Sequence, residues 1–244
     1  MKNKQSYSTD GKVKHLSTEE DINIKLGKII GKKFIDYRKK WDAANNFETV
    51  TDFPLFLHVD MNQTCNYKCP HCIIAYKDEV DGYYEGKNLN FEDYKKIVDE
   101  GSDYGCPSIS PQGNNEPFLI KDLHEYISYA YKKGFIDIML NNNGSAITAK
   151  RAQQVLDSGL TRIRFSLDAF SAESYPQVRV GAIPLDKVKR NIETFLNLKE
   201  KGNYKLPVTG VSFVKMKHNE HELDDFINYW KSRVDMVSVQ TFTP

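Results

Sequence analysis

The chain of 244 residues has little of several features that mark whole classes of protein. It contains no apolar run long enough to span a bilayer, and its basic start is followed by polar residues rather than by the apolar segment of a secretion signal. Its formal net charge is +1, which is not the basic excess of a nucleic-acid-binding protein. No repeat or low-complexity tract is visible. We therefore expect a cytoplasmic protein with neither a membrane nor a nucleic acid as its partner.

Cysteine is also scarce, but three of the four cysteines lie within eight residues. Cys65, Cys69 and Cys72 follow a strand-like run at residues 55–61. In a reducing compartment such clustered thiols are typical of metal or redox sites rather than of disulfides. Iron–sulfur cubanes normally take four thiolates, so three would leave one iron open, as is usual for a catalytic metal. The alternative is a structural zinc ion, whose fourth ligand would come from His71, His58 or Cys106.

The N-terminal region is the basic part of the chain. Residues 1–40 hold eleven Lys or Arg against five Asp or Glu. The first fifteen residues are polar and predict disorder, residues 17–20 predict a helix start, and apolar residues from Leu26 to Trp41 recur at helical spacing. The region is either an arm that binds a partner or anionic substrate, or a helix packed on the domain with a solvated basic face, which we favour. We therefore divide the chain into a basic, partly disordered extension with one amphipathic helix, residues 1–50, and a core, residues 51–244.

From residue 54 onward the pattern alternates between strand and helix. The predicted strands cover residues 55–61, 107–110, 136–140, 162–167, 208–214 and 236–241. The predicted helices cover residues 91–104, 123–133, 148–158, 185–201 and 220–230. Such alternation favours an α/β fold with a parallel sheet and helices outside it, either as a partial barrel or as an open doubly wound sheet. In both arrangements the chemistry lies at the carboxyl ends of the strands.

The residues that follow the first four predicted strands are rich in polar and metal-ligating side chains. The cysteine cluster follows the first strand, residues 113–117 (Gly-Asn-Asn-Glu-Pro) follow the second, residues 141–144 (Asn-Asn-Asn-Gly) follow the third, and Asp168 closes the fourth. Carboxyl ends of parallel strands share one edge of a sheet, so we expect these segments to meet.

This series of motifs resembles the radical S-adenosylmethionine (SAM) superfamily over roughly residues 52–244. The cysteine triplet is similar to its cluster motif, residues 112–119 to its Gly-x-Gly-Glu-Pro segment, residues 140–144 to its Thr-Asn-Gly turn, and residues 164–169 to its Ser-Leu-Asp strand end. Residues 178–181, with the helix after them, resemble its Arg-Gly segment. The likeness is greatest to the SPASM-type subgroup, although the cysteine-rich C-terminal domain of that subgroup has no counterpart here.

The resemblance implies a partial (β/α)6 barrel of the radical SAM type with an N-terminal helical extension. It also implies a [4Fe–4S] cluster on Cys65, Cys69 and Cys72, with SAM on the fourth iron. An electron from the cluster would cleave SAM, and the 5′-deoxyadenosyl radical would take a hydrogen atom from the substrate. The reductant would be a flavodoxin or a ferredoxin. The residues that the resemblance assigns to SAM are His71, Gly113, Asn114, Asn115, Glu116, Asn142, Ser166, Asp168 and Arg179.

Two departures from the family pattern bear on the substrate. Asn115, preceded by Asn114, stands where the family has its second glycine, and Asn142 stands where it usually has threonine. These amides, with Asn141 and Asn143, make a polar rim and favour a polar small molecule, such as a sugar derivative, as substrate. A peptide or protein substrate is the alternative, and a non-enzymatic protein, either a zinc-stabilised module or a degenerate SAM-binding scaffold, is a third reading. Cys106 precedes the second strand and is expected to be a buried apolar residue.

Overall fold

The computed structural model describes residues 5–7, 13–17, 20–79 and 88–242. Its centre is a run of six parallel strands that alternate with helices, which confirms the predicted α/β fold. The strands are β3 (Phe56–His58), β4 (Ser108–Ser110), β5 (Asp137–Asn142), β6 (Arg162–Ser166), β7 (Val208–Lys215) and β8 (Met236–Thr241). The helices are α3 (Phe91–Asp103), α4 (Leu123–Lys132), α5 (Ala149–Leu156), α6 (Tyr175–Val178), α7 (Leu185–Lys201) and α8 (Leu223–Trp230).

The strands lie in chain order from β3 to β8, and each pairs with the next in parallel. Helices α3, α4, α5 and α7 begin within one residue of the predicted starts, whereas α8 begins three residues later than predicted because residues 220–222 form a 3-10 turn. Asn90 caps α3 by accepting a hydrogen bond from the Asp93 amide at 2.9 Å, and Thr148 caps α5 in the same way. The cysteine loop, residues 59–72, leaves the carboxyl end of the edge strand β3.

The two faces of the sheet differ in polarity because successive side chains along a strand alternate between them. The outer face, which meets α3, α4, α5, α7 and α8, carries the main apolar core, with Ile109, Ile138, Phe165 and Phe213 almost fully buried. The opposite face, here called the inner face, is unusually polar. It carries Ser108, Ser110, Asp137, Asn141, Arg162, Arg164, Ser166, Ser212 and Ser238.

The N-terminal region differs from the prediction in two ways. Residues 5–7 and 13–15, expected to be disordered, lie in the short strands β1 (Gln5–Tyr7) and β2 (Val13–Ser17), which extend the sheet antiparallel beyond β8. Long-range pairing of β2 with β8 supplies hydrogen bonds that the local sequence of this polar segment does not predict, and β1 in turn pairs with β2. The remaining residues of that segment, 1–4 and 8–12, lie outside the described part of the chain.

The single amphipathic helix predicted for this region is instead two helices, α1 (Ile22–Ile30) and α2 (Lys32–Asn45). They are separated at Gly31, whose φ of 90° and ψ of −158° belong to a region that only glycine adopts readily. The helix start predicted at residues 17–20 is also wrong. Asp21 is the N-cap, and its carboxylate accepts hydrogen bonds from the Asn23 and Ile24 amides.

Helices α1 and α2 pack on the sheet, in agreement with the interpretation favoured above. Leu26, Phe34 and Tyr37 are buried in a second apolar cluster that also contains Val208. Lys25 Nζ lies 2.5 Å from Asp235 Oδ1, and this ion pair ties α1 to the segment before β8. Among the described residues, no helix combines the length and the apolar character needed to cross a bilayer.

Candidate active site

The three cysteines lie on the loop after β3, and their neighbours come from other strand ends. Cys69 is buried, whereas Cys65 and Cys72 are half-buried. Burial raises the pKa of the Cys65 thiol to about 11. Burial also raises the pKa of Cys69, and the Arg179 guanidinium opposes that shift. The loop therefore holds thiols whose ionisation is costly until a positive partner is close.

Arg179 supplies one such positive charge. Its Nη1 lies 3.5 Å from Cys69 Sγ, and its Nη2 lies 2.5 Å from Asp168 Oδ2. His71 Nε2 contacts the same carboxylate oxygen at 3.2 Å. Burial would raise the pKa of Asp168, but Arg179 and His71 outweigh burial and hold that pKa below its usual value. The resemblance described above assigned His71, Asp168 and Arg179 to the binding of SAM. In the structure these three residues contact one another, and Arg179 also contacts Cys69 of the cysteine loop.

Asp168 is also fixed by the backbone around it. The side chain is fully buried, its Oδ1 accepts a hydrogen bond from the Val214 amide at 2.9 Å, and its φ is +59°. Asn219 donates to the Asp168 carbonyl at 2.7 Å and to the Val214 carbonyl at 2.8 Å. Asp168 therefore positions Arg179 and His71 and has little carboxylate surface left for a ligand.

Glu116 ties the loop after β4 to the loop after β5. Its side chain is buried, Oε1 accepts a hydrogen bond from the Phe118 amide at 3.0 Å, and Oε2 accepts one from the Asn143 amide at 2.7 Å. The Glu116 amide donates to the Thr64 carbonyl, next to Cys65. Burial raises the pKa of Glu116 to about 7 although both backbone amides favour the carboxylate. A cationic ligand group at this carboxylate would relieve that cost.

The glycine of the predicted loop has a specific neighbour. A Cβ atom at Gly113 would lie 2.3 Å from the carboxyl carbon of Asp60, so no other residue fits there unless Asp60 moves. Asp60 follows β3, and burial raises the pKa of its carboxyl group. Asn115 donates to Asn62 Oδ1 at 2.7 Å and accepts from the Gly113 amide at 3.3 Å, which holds the loop against the chain that leads to the cysteines.

The asparagines after β5 divide into structural and site-facing groups. Asn142 is buried. Its Nδ2 donates a hydrogen bond to the Arg164 carbonyl, and its Oδ1 accepts one from the Gly144 backbone amide. It therefore braces the turn rather than facing the site as the sequence suggested. Asn143 instead meets the cysteine loop, with its Nδ2 2.9 Å from Asn66 Oδ1 and 4.0 Å from Cys65 Sγ. Among the predicted residues that remain, Ser166 lies on the inner face next to Ser212, and Asn114 is exposed.

Sequence reasoning assigned no site role to Asp60, Asn62 or Asn66, and it gave Asn143 a place in the polar rim but no contact with the cysteine loop. Each is polar and lies at a strand end or in the cysteine loop, so position alone was the available signal. The contact of Asn219 with Asp168 depends on tertiary structure and has no signal in the local sequence.

The donor set fits an iron–sulfur cluster. In the described residues, no group of three or more His, Cys, Asp or Glu side chains converges on one point that a single metal ion would occupy. A cubane does not need such convergence, because each thiolate binds a different iron atom. Three thiols on one short loop, with the Arg179 guanidinium against one of them and the Asn143 amide near another, are the donors such a cluster takes. Cys106 is away from this site, buried, with its thiol 3.5 Å from the Ser108 carbonyl.

Comparison with known proteins gives a consistent result. The family model of the Radical SAM superfamily matches residues 59–229. A probable GTP 3′,8-cyclase of Methanococcus maripaludis is 29% identical over 180 residues, which are 74% of this chain and 56% of that protein. The GTP 3′,8-cyclase of Aliarcobacter butzleri is 30% identical over 183 residues, 73% of this chain and 52% of that protein. The chain thus spans about half the length of these curated relatives.

Among solved structures, Streptococcus suis SuiB bound to S-adenosylmethionine superposes with a TM-score of 0.62. The likeness covers 87% of this chain and 46% of SuiB at 15% sequence identity, and so concerns the fold alone.

Proposed function

Because the chain belongs to the radical SAM superfamily, we propose that it is an enzyme that binds a [4Fe–4S] cluster through Cys65, Cys69 and Cys72 and cleaves SAM there. Support comes above all from the convergence of separate strand-end loops on the cysteine loop. Arg179 reaches Cys69, Asn143 reaches Cys65 and Asn66, and the Glu116 amide bonds to the residue before Cys65.

When bound, the cluster and SAM supply a one-electron cleavage and a carbon radical that removes hydrogen from the substrate. The chain's own residues hold and orient those groups. Arg179 places positive charge on the Cys69 thiolate, and Asp168 holds Arg179 in that place. The burial of Cys69, Asp168 and Arg179 keeps water from this side of the reacting groups.

We assign the binding of SAM to the loops beside the cysteines. Glu116 would receive its ammonium group, because each carboxylate oxygen accepts one backbone hydrogen bond and keeps a second lone pair. Gly113 and Asn115 form the adjacent loop, and Ser166 faces the same side of the sheet. His71, Asp168 and Arg179 support this site as positioning residues, whereas Asn142 braces the turn beside it.

The substrate is, in our proposal, a polar small molecule with a sugar-like part, and a nucleotide is the first class to test. The inner face of the sheet carries serine, asparagine and arginine side chains, which suit hydroxyl and phosphate groups rather than an apolar ligand. The curated relatives named above as GTP 3′,8-cyclases support the nucleotide class. A peptide remains the second candidate substrate.

Two further parts of the proposal concern context. The cluster needs an external one-electron donor such as a flavodoxin or ferredoxin, and a compartment like the cytoplasm that keeps thiols reduced. We also propose residues 51–244 as the catalytic core and residues 1–50 as an extension packed on it.

The test is anaerobic reconstitution with iron and sulfide, followed by addition of dithionite and SAM. The expected results are about four iron atoms per chain, charge-transfer absorption in the visible range, and formation of 5′-deoxyadenosine. A Cys69→Ala variant should lose the cluster and the cleavage. Cys106→Ala is the matched control, because Cys106 is a buried thiol outside the site, and it should keep both. Bound zinc with no iron and no 5′-deoxyadenosine would overturn the proposal.

A further inference from the structure

A cavity of about 240 Å³ lies between helix α1 and the inner face of the sheet. Its polar lining comes from Asp21, Asn23, Arg38, Asn141, Arg162 and Arg164. Pockets that enclose a whole small-molecule ligand have volumes of about 300–1,000 Å³. This cavity is therefore of a size to receive one end of a ligand.

The charges that line the cavity are neutralised unequally. Arg162 makes a two-pronged ion pair with Asp137, with Nε and Nη2 at 2.7 and 2.8 Å from the carboxylate oxygens. The Asp21 carboxylate is occupied as the cap of α1. Arg38 stacks over the rings of Tyr37 and Trp41, and a carboxylate oxygen of Asp42 lies 3.8 Å from it.

Arg164 differs from the other two arginines. Its Nε donates to Asn141 Oδ1 at 2.8 Å, and within the described residues no carboxylate lies within ion-pair distance of its guanidinium. Burial lowers the pKa of Arg164, and only the more distant charge of Asp168 opposes the shift. A guanidinium stays protonated all the same, so the fold holds a largely desolvated positive charge with a neutral partner.

The two terminal nitrogens of Arg164 are open to the cavity. Neither makes a hydrogen bond with a described residue, and neither is among the enclosed polar atoms that lack a partner. Gly210 is the cross-strand neighbour of Arg164 on β7, and with no side chain there the inner face stays open beside the guanidinium. The free donors therefore point at space rather than at protein.

Arg164 also lies on the path to the SAM site. Ser166 is two residues further along β6 on the same face, which places it about 6.6 Å closer to the carboxyl end. A ligand whose anionic end rests on Arg164 would extend along this face toward Ser166 and the cysteine loop.

We propose that Arg164 binds an oxyanion of the substrate, a phosphate or a carboxylate, in this inner-face cavity. The inference deepens the function proposed above and rests on it. The planar guanidinium matches both oxyanions with paired hydrogen bonds, and its half-buried charge gains a counter-ion that the described residues do not supply. An anionic end anchored there orients the rest of the substrate toward the radical.

The test is titration calorimetry on the reconstituted holoprotein with SAM present, under anaerobic conditions and at low ionic strength. The probes are inorganic pyrophosphate and malonate, with sodium chloride at matched ionic strength as the blank. We expect one site per chain for at least one probe, and the stronger probe identifies the phosphate or the carboxylate as the preferred group. Arg164→Gln should weaken that binding about 10- to 100-fold, the usual effect of losing a charged hydrogen-bond donor.

Arg190→Gln is the matched control, because it removes the same charge from an exposed ion pair with Asp186 on α7, and it should bind like the unmodified protein. A second measurement needs no variant. Modification of the unmodified protein by an arginine-specific dicarbonyl reagent, mapped by mass spectrometry, should be slowed at Arg164 by the probe that binds. Absence of binding by both probes, equal binding by Arg164→Gln, or unprotected Arg164 would overturn the proposal.

The two proposals fail separately. If the unmodified holoprotein cleaves SAM but neither probe binds, only the anion site is wrong. If SAM is not cleaved, the proposed function is wrong whatever the probes do.

Discussion

The buried pair of Asp168 and Arg179 gives the sharpest prediction about stability. Asp168 is fully buried and Arg179 is 8% exposed. At their separation of 2.5 Å, Coulomb's law with an effective dielectric constant of about 20 gives an attraction of about 7 kcal/mol. Desolvation of the two ions offsets much of that, but removal of one partner leaves the other buried and uncompensated, which typically costs about 3–5 kcal/mol.

The perturbation is Asp168→Asn, which keeps an acceptor for the Val214 amide and tolerates the positive φ of this position. We expect the free energy of unfolding of the metal-free protein to fall by about 3 kcal/mol or more. Arg179→Met should cost a similar amount. The double variant should lose clearly less than the sum, because neither charge is then left alone.

Urea denaturation followed by circular dichroism measures all four proteins of this cycle. Asp186→Asn, in an exposed pair with Arg190, is the control and should leave stability unchanged within error. The reasoning is refuted if Asp168→Asn is as stable as the unmodified protein, or if the two single changes add without coupling.

Three further predictions concern other parts of the molecule. Glu116 has a folded pKa of about 7 against about 4.5 unfolded, so its carboxyl group should make the metal-free protein lose stability as pH rises between these values, by about 3 kcal/mol in total. Urea titrations at several pH values should show this slope, and Glu116→Gln should reduce it; equal slopes would contradict the assignment. Burial would raise the pKa of Asp235, but Lys25 and the Thr209 backbone amide hold that pKa below its usual value. The ionised Asp235 carboxylate therefore contributes stability above pH ~4, and this contribution is lost as pH falls through the folded pKa. Asp235→Asn should therefore raise hydrogen exchange in helix α1 at neutral pH, and unchanged exchange there would count against the pair. Gly31→Ala should cost about 1–3 kcal/mol in thermal or urea unfolding because its backbone geometry suits only glycine; an unaltered midpoint would show that the helix break is not needed.

The sequence was most informative where local rules decide the structure. The structure confirms the alternation of strands and helices and the caps at Asn90 and Thr148. These features depend on residues that are neighbours in the sequence. Strands β1 and β2 were missed because β2 pairs with β8, more than 200 residues away, and β1 in turn pairs with β2. Gly31 was missed because a single glycine inside an apolar helical pattern does not reveal its backbone angles.

The site shows the same division. Motif positions predicted that the cysteine loop and the loop carrying Glu116 meet at one edge of the sheet, and the Glu116 amide donates to the Thr64 carbonyl beside Cys65. They did not reveal that Arg179 is already neutralised by Asp168, because that pairing depends on how α6 returns to the end of β6. The local sequence around a residue therefore predicts where that residue lies in the fold better than it predicts which distant residue it contacts.

The contrast between Arg179 and Arg164 shows why the partner matters. Arg179 is buried and Arg164 is half-buried beside the sheet, yet Arg179 has a carboxylate at 2.5 Å and Arg164 has, among the described residues, only an amide as partner. A buried charge with a counter-ion in the protein is part of the scaffold, and its position serves the cysteine loop. A buried charge without one lowers stability in the free protein, and a ligand that brings the missing anion recovers that free energy on binding. The unequal neutralisation of the two arginines thus separates Arg179, which we propose supports the cluster, from Arg164, which we propose binds the oxyanion of the substrate.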